Sequence, residues 1–79
     1  MKVKLFYKPQ CPKCPMAKEV VEDLSNVEYL NVEEVNGLAE ATYYGVMATP
    51  SIILIDDNEN EVCSWRGDVP AKEELKEWI

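Results

Sequence analysis

Histidine is absent from this chain, which removes every Cys-His nucleophilic arrangement and every zinc site that needs an imidazole. Cysteine is scarce. Three is an odd count with only Cys11 and Cys14 close together, so neither a secreted-type disulfide framework nor a four-thiolate metal site within one chain is expected. Long apolar runs are missing too. The stretch Met1-Lys2-Val3-Lys4-Leu5-Phe6 is interrupted by Lys4 and is too short for a signal-peptide core or a membrane span, which places the protein in the cytoplasm with no membrane partner. No Ser-, Gly- or Pro-rich tract or repeat suggests a linker or a disordered tail. With 79 residues, 47% hydrophobic and 29% charged, the chain reads as one compact domain, 1–79, with a modest core.

An excess of cations is also lacking. The net charge of −7 argues against nucleic acid as a partner. Its distribution is uneven: Lys2, Lys4, Lys8, Lys13 and Lys18 fall in the first eighteen residues with no acid, while all 15 acids come later against Arg66, Lys72 and Lys76. The basic end carries Lys8-Pro9-Gln10-Cys11-Pro12-Lys13-Cys14-Pro15. Two cysteines separated by two residues, after a strand-like run and before a helix-like one, place both thiols at the start of one helical turn. A thiolate there meets the positive end of the helix dipole and unpaired N–H groups. Cys11 is read as the exposed nucleophile and Cys14 as the resolving thiol. Lys2 and Lys4 are expected at the far end of the first strand, about a Debye length of 10 Å or more away, which leaves Lys8, Lys13 and Lys18 to act on the thiols.

Residues 2–7 alternate as a strand that ends at this motif. From Pro12, taken as the first helical position, Cys14, Ala17, Val21 and Leu24 recur at helical spacing, flanked by Met16 and Val20, and Pro15 is expected to distort the helix start. Residues 27–32 read as a second strand, buried on both faces. Within 34–44, Val35, Leu38, Ala39, Thr42 and Tyr43 share one face of a helix and Gly45 suits its C-cap. Residues 51–56 form an apolar central strand, joined by Asp57-Asn58-Glu59-Asn60 to a last strand over 61–65. A final helix over 70–79 is expected to bury Ala71, Leu75, Trp78 and Ile79. The order βαβαββα predicts an α/β fold: a four-stranded mixed sheet with three helices on its two faces, with parallel pairings through the helical crossovers and one antiparallel hairpin. The cysteine pair falls at the carboxyl end of a strand, where open α/β sheets put their chemistry.

Three stretches, Cys11-Pro12-Lys13-Cys14, Tyr44-Gly45-Val46-Met47-Ala48-Thr49-Pro50-Ser51, and Gly67 followed by Lys72-Glu73-Glu74-Leu75-Lys76-Glu77-Trp78, make the chain resemble the thioredoxin and glutaredoxin superfamily over essentially its whole length. The run Tyr29-Leu30-Asn31-Val32-Glu33 is similar to the second strand of thioredoxins. The resemblance implies a thioredoxin-like fold, a cis Pro50 facing the disulfide, and a Thr49 backbone that pairs with an extended substrate segment. Gly67 is taken as a substrate-side residue, and Met47, in the loop beside Pro50, is read as an exposed apolar contact for protein substrates or equally as core filling. Two departures stand out. Where thioredoxins usually carry a tryptophan before the first cysteine and a buried aspartate in the preceding strand, this chain has Gln10 and Leu5, which leaves the proton acceptor for Cys14 unassigned. Lys8 is similar to the glutaredoxin lysine that holds the thiolate and the glutathione carboxylate, whereas Gly67-Asp68 only partly echoes their glutathione site and Thr49 replaces a usual valine.

The expected chemistry is thiol–disulfide exchange with no cofactor beyond the redox-active Cys11–Cys14 disulfide. The Cys11 thiolate is held by Lys8, Lys13 and the Pro12-led helix start. The partners expected are protein disulfides and an upstream thiol reductase or thiol pool, with the protein itself a monomer. Two alternatives stay open: a glutathione-dependent oxidoreductase, and a copper(I) or zinc carrier using the two thiols. Cys63 is read as a core residue, with redox regulation or ligation as the alternative, and Trp65, Trp78, Tyr7 and Tyr29 as core or partly covered aromatics.

Overall fold

The computed structural model describes residues 1–78. Along the chain run β1 (Lys2–Tyr7), α1 (Cys14–Val21), β2 (Val27–Asn31), α2 (Val35–Tyr43), β3 (Ser51–Ile55), β4 (Glu61–Arg66) and α3 (Lys72–Lys76), the expected βαβαββα order. The four strands form one mixed sheet in the order β2-β1-β3-β4. Among the described residues only β1 and β2 pair in parallel; β3 runs antiparallel to both β1 and β4. The second helical crossover therefore does not give a parallel pairing. The chain after α2 returns to the end of the sheet where β1 and β2 leave it, so β3 starts there, with Ser51 opposite Phe6. That reversal brings the segment before β3 beside the segment after β1.

The two faces of the sheet hold separate cores. Val3, Leu5, Ile52 and Leu54 pack with Ala17 and Val21 of α1 and Leu75 of α3, while Phe6, Leu30, Ile53 and Ile55 pack with Ala41 of α2. A strand buried on both faces has no polar side to show, which is why Ile52-Ile53-Leu54-Ile55 is uniformly aliphatic. In β1 the residue that shares the α2 side with Phe6 is Lys4. Its Nζ lies 3.0 Å from Glu28 Oε1 and also contacts Glu40, and it lies over the Tyr44 ring at 5.8 Å. Burial pulls the Lys4 ammonium down, but the hydrogen bonds to Glu40 and Glu28 outweigh it and hold the pKa above the ordinary lysine value.

Several local expectations are corrected. β2 is an edge strand with Glu28 and Tyr29 exposed, so it is not buried on both faces. α2 turns the other way round from its hydrophobic stripe: Gly37 and Ala41 face the sheet, whereas Val35 is 84% and Tyr43 80% exposed, with Leu38, Ala39 and Thr42 also outside. The cause is Gly37, whose missing side chain lets the helix rest on the β2 backbone; a Cβ there would come within 1.9 Å of the Asn31 carbonyl oxygen. Gly45, at φ +69°, ends α2 as expected, with its N–H bonded to Thr42 and that of Val46 to Ala41, the two bonds of a Schellman cap. α1 begins at Cys14 rather than Pro12 and ends by Val21, and Met16 points to solvent. α3 is shorter than expected and buries Leu75, while Ala71 and Trp78 are exposed. Ile79, expected on its buried face, lies outside the described residues.

Candidate active site

Cys11 and Cys14 are joined in a disulfide with Cα atoms 5.3 Å apart, inside the usual span for such bonds. Two successive turns set this up. The Cys11 N–H donates to the Lys8 carbonyl and the Cys14 N–H to the Cys11 carbonyl, each at 3.3 Å. Lys13 is the N-cap of α1, and the first helical bond runs from the Ala17 N–H to the Lys13 carbonyl. Pro15 therefore occupies the second helical position, where an N–H has no intrahelical partner, and the expected distortion is not needed. Cys14 is 2% exposed and Cys11 7%. Cys11 is the more accessible of the two, yet it is itself buried, which corrects the expectation of an exposed nucleophile.

The register carries the second half of the site to the first. With Phe6 opposite Ser51, the residues that follow β1 meet those that precede β3, and the buried Pro50 follows Thr49 through a cis peptide bond. Among the described residues, neither the N–H nor the C=O of Thr49 takes a backbone partner. Across β3, Gly67 follows Arg66, the partner of Ser51. The Gly67 N–H donates to the Pro50 carbonyl at 2.9 Å and lies 3.3 Å from Ser51 Oγ. At φ +77°, with Ala48 Cβ only 3.2 Å from where a Cβ would stand, this position suits glycine.

Ser51 was not singled out from the sequence. It is fully buried, and its hydroxyl donates to the Ala48 carbonyl at 2.7 Å while accepting from Gly67. One side chain thus ties the Ala48–Pro50 turn to the end of β4. The signal was present as a lone hydroxyl opening an otherwise aliphatic strand. Arg66 adds a second tie: its guanidinium donates to the Tyr44 carbonyl at 2.8 Å and pairs with Glu61. The hydrogen bond from Arg66 holds the Glu61 carboxyl below the ordinary range.

Lys8 and Lys13 are exposed and form no ion pair with a described residue. Lys18 lies over the Tyr7 ring at 4.1 Å. Lys8, Val32, Leu38, Met47, Ala48 and Thr49 line a groove of about 250 Å³, with Met47 96% exposed. A larger hollow, about 470 Å³ and lined by Met1, Asn26 and Asp57 among others, lies at the opposite end of the sheet and contains no thiol. Leu5 is fully buried where a carboxylate could have served Cys14; among the described residues the only buried polar side chains are Lys4 and Ser51. Cys63 is half-buried and free, and packs against the core cluster that contains Leu5, as do Trp65 and Val69. Tyr7 is half-buried, and Tyr29 is exposed on the edge strand.

A disulfide closed at the start of a helix, beyond the carboxyl end of a central strand of a mixed sheet, serves one general chemistry, the exchange of an electron pair with other thiols and disulfides, and the fold that presents it this way is the thioredoxin fold. Comparison with known proteins agrees. The thioredoxin domain model matches residues 1–79. The thioredoxin of Methanocaldococcus jannaschii is 44% identical over 66 residues, covering 75% of each chain. A probable thioredoxin of Methanothermobacter marburgensis is 36% identical over 84 residues, covering 100% of this chain and 92% of that one. Among solved structures, a single-substitution mutant of the thioredoxin from Halobacterium salinarum NRC-1 superposes with a TM-score of 0.82 at 30% identity, over 98% of this chain and 69% of that one. The chain belongs to the thioredoxin family and is a thiol–disulfide oxidoreductase, working by dithiol–disulfide exchange. No helix among the described residues is long and apolar enough to cross a membrane.

Proposed function

We infer that this protein is a cytoplasmic, monomeric protein-disulfide reductase and electron donor. The observation that carries the reading is the Cys11–Cys14 bond at the N-terminus of α1, together with a Thr49 backbone free to take a partner strand. In the reduced protein the Cys11 thiolate attacks one sulfur of a target disulfide; that S–S bond breaks, a mixed disulfide forms, and the departing target thiolate takes a proton from water. Cys14, having lost its own proton to water, then attacks the Cys11 sulfur; the mixed disulfide bond breaks, and the second target sulfur leaves as a thiolate that takes a proton from water. Two electrons pass from the protein to the target, and the protein is left oxidised.

Cys11 is the attacking thiol because it is the more accessible; Cys14, one turn into the helix, resolves. The helix N-terminus, Lys8 and Lys13 favour the Cys11 thiolate, with Pro12 shaping the turn between the sulfurs. Thr49 pairs with the target backbone beside Pro50, and Met47 and Gly67 border it. An upstream thiol reductase or thiol pool re-reduces the pair, and no cofactor beyond the disulfide takes part. The test is trapping: Cys14→Ser should accumulate a mixed disulfide with a disulfide-bonded protein target, and Cys11→Ser should not. Accumulation in the Cys11 variant instead would reverse the roles. Full turnover on glutathione as sole reductant would move the protein to the glutathione-dependent class.

A further inference from the structure

The groove beside Thr49 has a chemical character of its own. Its walls include Val32, Leu38, Met47 and Ala48, and among the described residues Lys8 is its only charged lining residue. Leu38 and Met47 are exposed large apolar side chains, and Leu38 belongs to the outward stripe of α2 created when Gly37 and Ala41 took the inward face. Lys8 is equally uncommitted. Of the five lysines in the first eighteen residues, Lys4 is consumed by Glu28 and Glu40 and Lys18 sits on Tyr7, while Lys8 has no counter-ion among the described residues. Glu33 and Glu34 follow β2 at this same end of the sheet and Asp68 follows Gly67, but none of the three lines the groove.

We propose that this groove selects protein targets whose reactive cysteine is flanked by one large apolar residue and one carboxylate: the apolar side chain is received between Leu38 and Met47 and the carboxylate by Lys8. The proposal rests on the disulfide-reductase reading and adds the substrate class to it. Charge complementarity decides the occupant. An unpaired lysine on the wall of an apolar groove attracts an acidic segment and repels a basic one, and such rim charges act on encounter and discrimination more than on total affinity. The groove adjoins Thr49, so a segment pairing with that backbone would carry its neighbouring side chains past these walls.

The test uses the whole protein and matched disulfide-linked peptides carrying Leu next to the cysteine and either Glu or Lys beyond it, with 2-hydroxyethyl disulfide as a neutral small substrate. For the unaltered protein at low salt, kcat/KM should favour the Glu peptide by roughly threefold to tenfold, as expected when attraction to one exposed charge is replaced by repulsion. Lys8→Glu should bring that ratio to one or invert it. The ratio compares two peptides on one protein, so any change in the thiol cancels. At about 1 M salt, where screening acts within roughly 3 Å, the preference should collapse. Met47→Ser should lower kcat/KM for Leu peptides relative to Ser peptides by about threefold. Equal rates on the Glu and Lys peptides, or a preference unchanged in Lys8→Glu, would overturn the proposal, as would glutathione disulfide outcompeting every peptide. Failure to reduce 2-hydroxyethyl disulfide at all would instead overturn the reductase reading beneath it.

Discussion

Gly37→Ala sets two physical effects against each other with opposite signs. Glycine inside a helix costs about 1 kcal/mol relative to alanine, so propensity alone predicts that the substitution stabilises the protein. Contact predicts the reverse. The new Cβ would lie 1.9 Å from the Asn31 carbonyl oxygen, 2.5 Å from its carbon and 3.1 Å from the Asn31 nitrogen, all backbone atoms that no rotamer change can move. α2 would have to lift from β2 by on the order of 1 Å, loosening Ala41 from Phe6 and Leu30 and drawing Glu40 from Lys4. Overpacking costs about 1–3 kcal/mol, and a 1.9 Å approach to backbone puts this case at the upper end, about 3 kcal/mol, which outweighs the propensity gain and leaves a loss of roughly 2 kcal/mol. At about 4–8 °C per kcal/mol for a domain of this size, the melting temperature should fall by roughly 10 °C. The assay is thermal unfolding followed by circular dichroism, with Ala39→Gly, at an exposed position of the same helix, as the comparison; that change should cost only the propensity difference, about 1 kcal/mol. A Gly37→Ala protein as stable as the original would refute the close contact of α2 with β2, and with it the inward face assigned to the helix.

Other outcomes follow from the same geometry. Ser51→Ala removes the hydroxyl that joins Ala48 to Gly67 and should cost about 1–3 kcal/mol in urea unfolding; as a positioning residue it should raise KM for protein disulfides more than for 2-hydroxyethyl disulfide, with Ser51→Thr restoring both. In Lys8→Ala the Cys11 thiol should titrate at higher pH, read as a shift in the pH dependence of its alkylation rate; an unchanged profile would remove Lys8 from the thiolate's support. Stability should depend on pH at both ends. Glu61 is held below its ordinary 4.5 by Arg66, so its contribution is present above that value and lost as pH falls through the lowered one, and Glu61→Gln should flatten the acid limb. Lys4 is held above its ordinary 10.5, so its contribution is present below that value and lost as pH rises past it, seen as a falling urea midpoint in strong alkali.

Much of this was legible because some residues admit one reading. A strand of four consecutive aliphatics after a proline is central, Asp57-Asn58-Glu59-Asn60 is a turn, and a glycine after an apolar stripe caps its helix. The Cys11–Cys14 spacing and the element order together located the site. What escaped was of another kind. Hydrophobic periodicity gives glycine no weight, so it oriented α2 by Val35, Leu38 and Tyr43 when the inward contact was made by Gly37 and Ala41. Element order does not state which strand lies at an edge, so by itself it makes β2 covered and β3 parallel, where the sheet has β2 at its edge and β3 antiparallel. Lys4 reads as a surface charge until two acids from β2 and α2, 24 and 36 residues away, are brought onto it. Ser51 reads as an ordinary strand residue until its two backbone partners are adjacent.

The central claim is that Cys11 and Cys14 form a reversible two-electron couple. Its most direct measurement is equilibration of the protein with defined dithiol and disulfide buffers, with the Cys11 and Cys14 thiols counted after quenching. The account predicts one two-electron transition, with the tenfold change in equilibrium constant per about 30 mV that this requires, on the reducing side near the general thioredoxin reference of about −270 mV, a family value and not one calculated from this structure. A pair that stays fully reduced or fully oxidised at every accessible poise, or one that exchanges only when Cys63 is present, would contradict it.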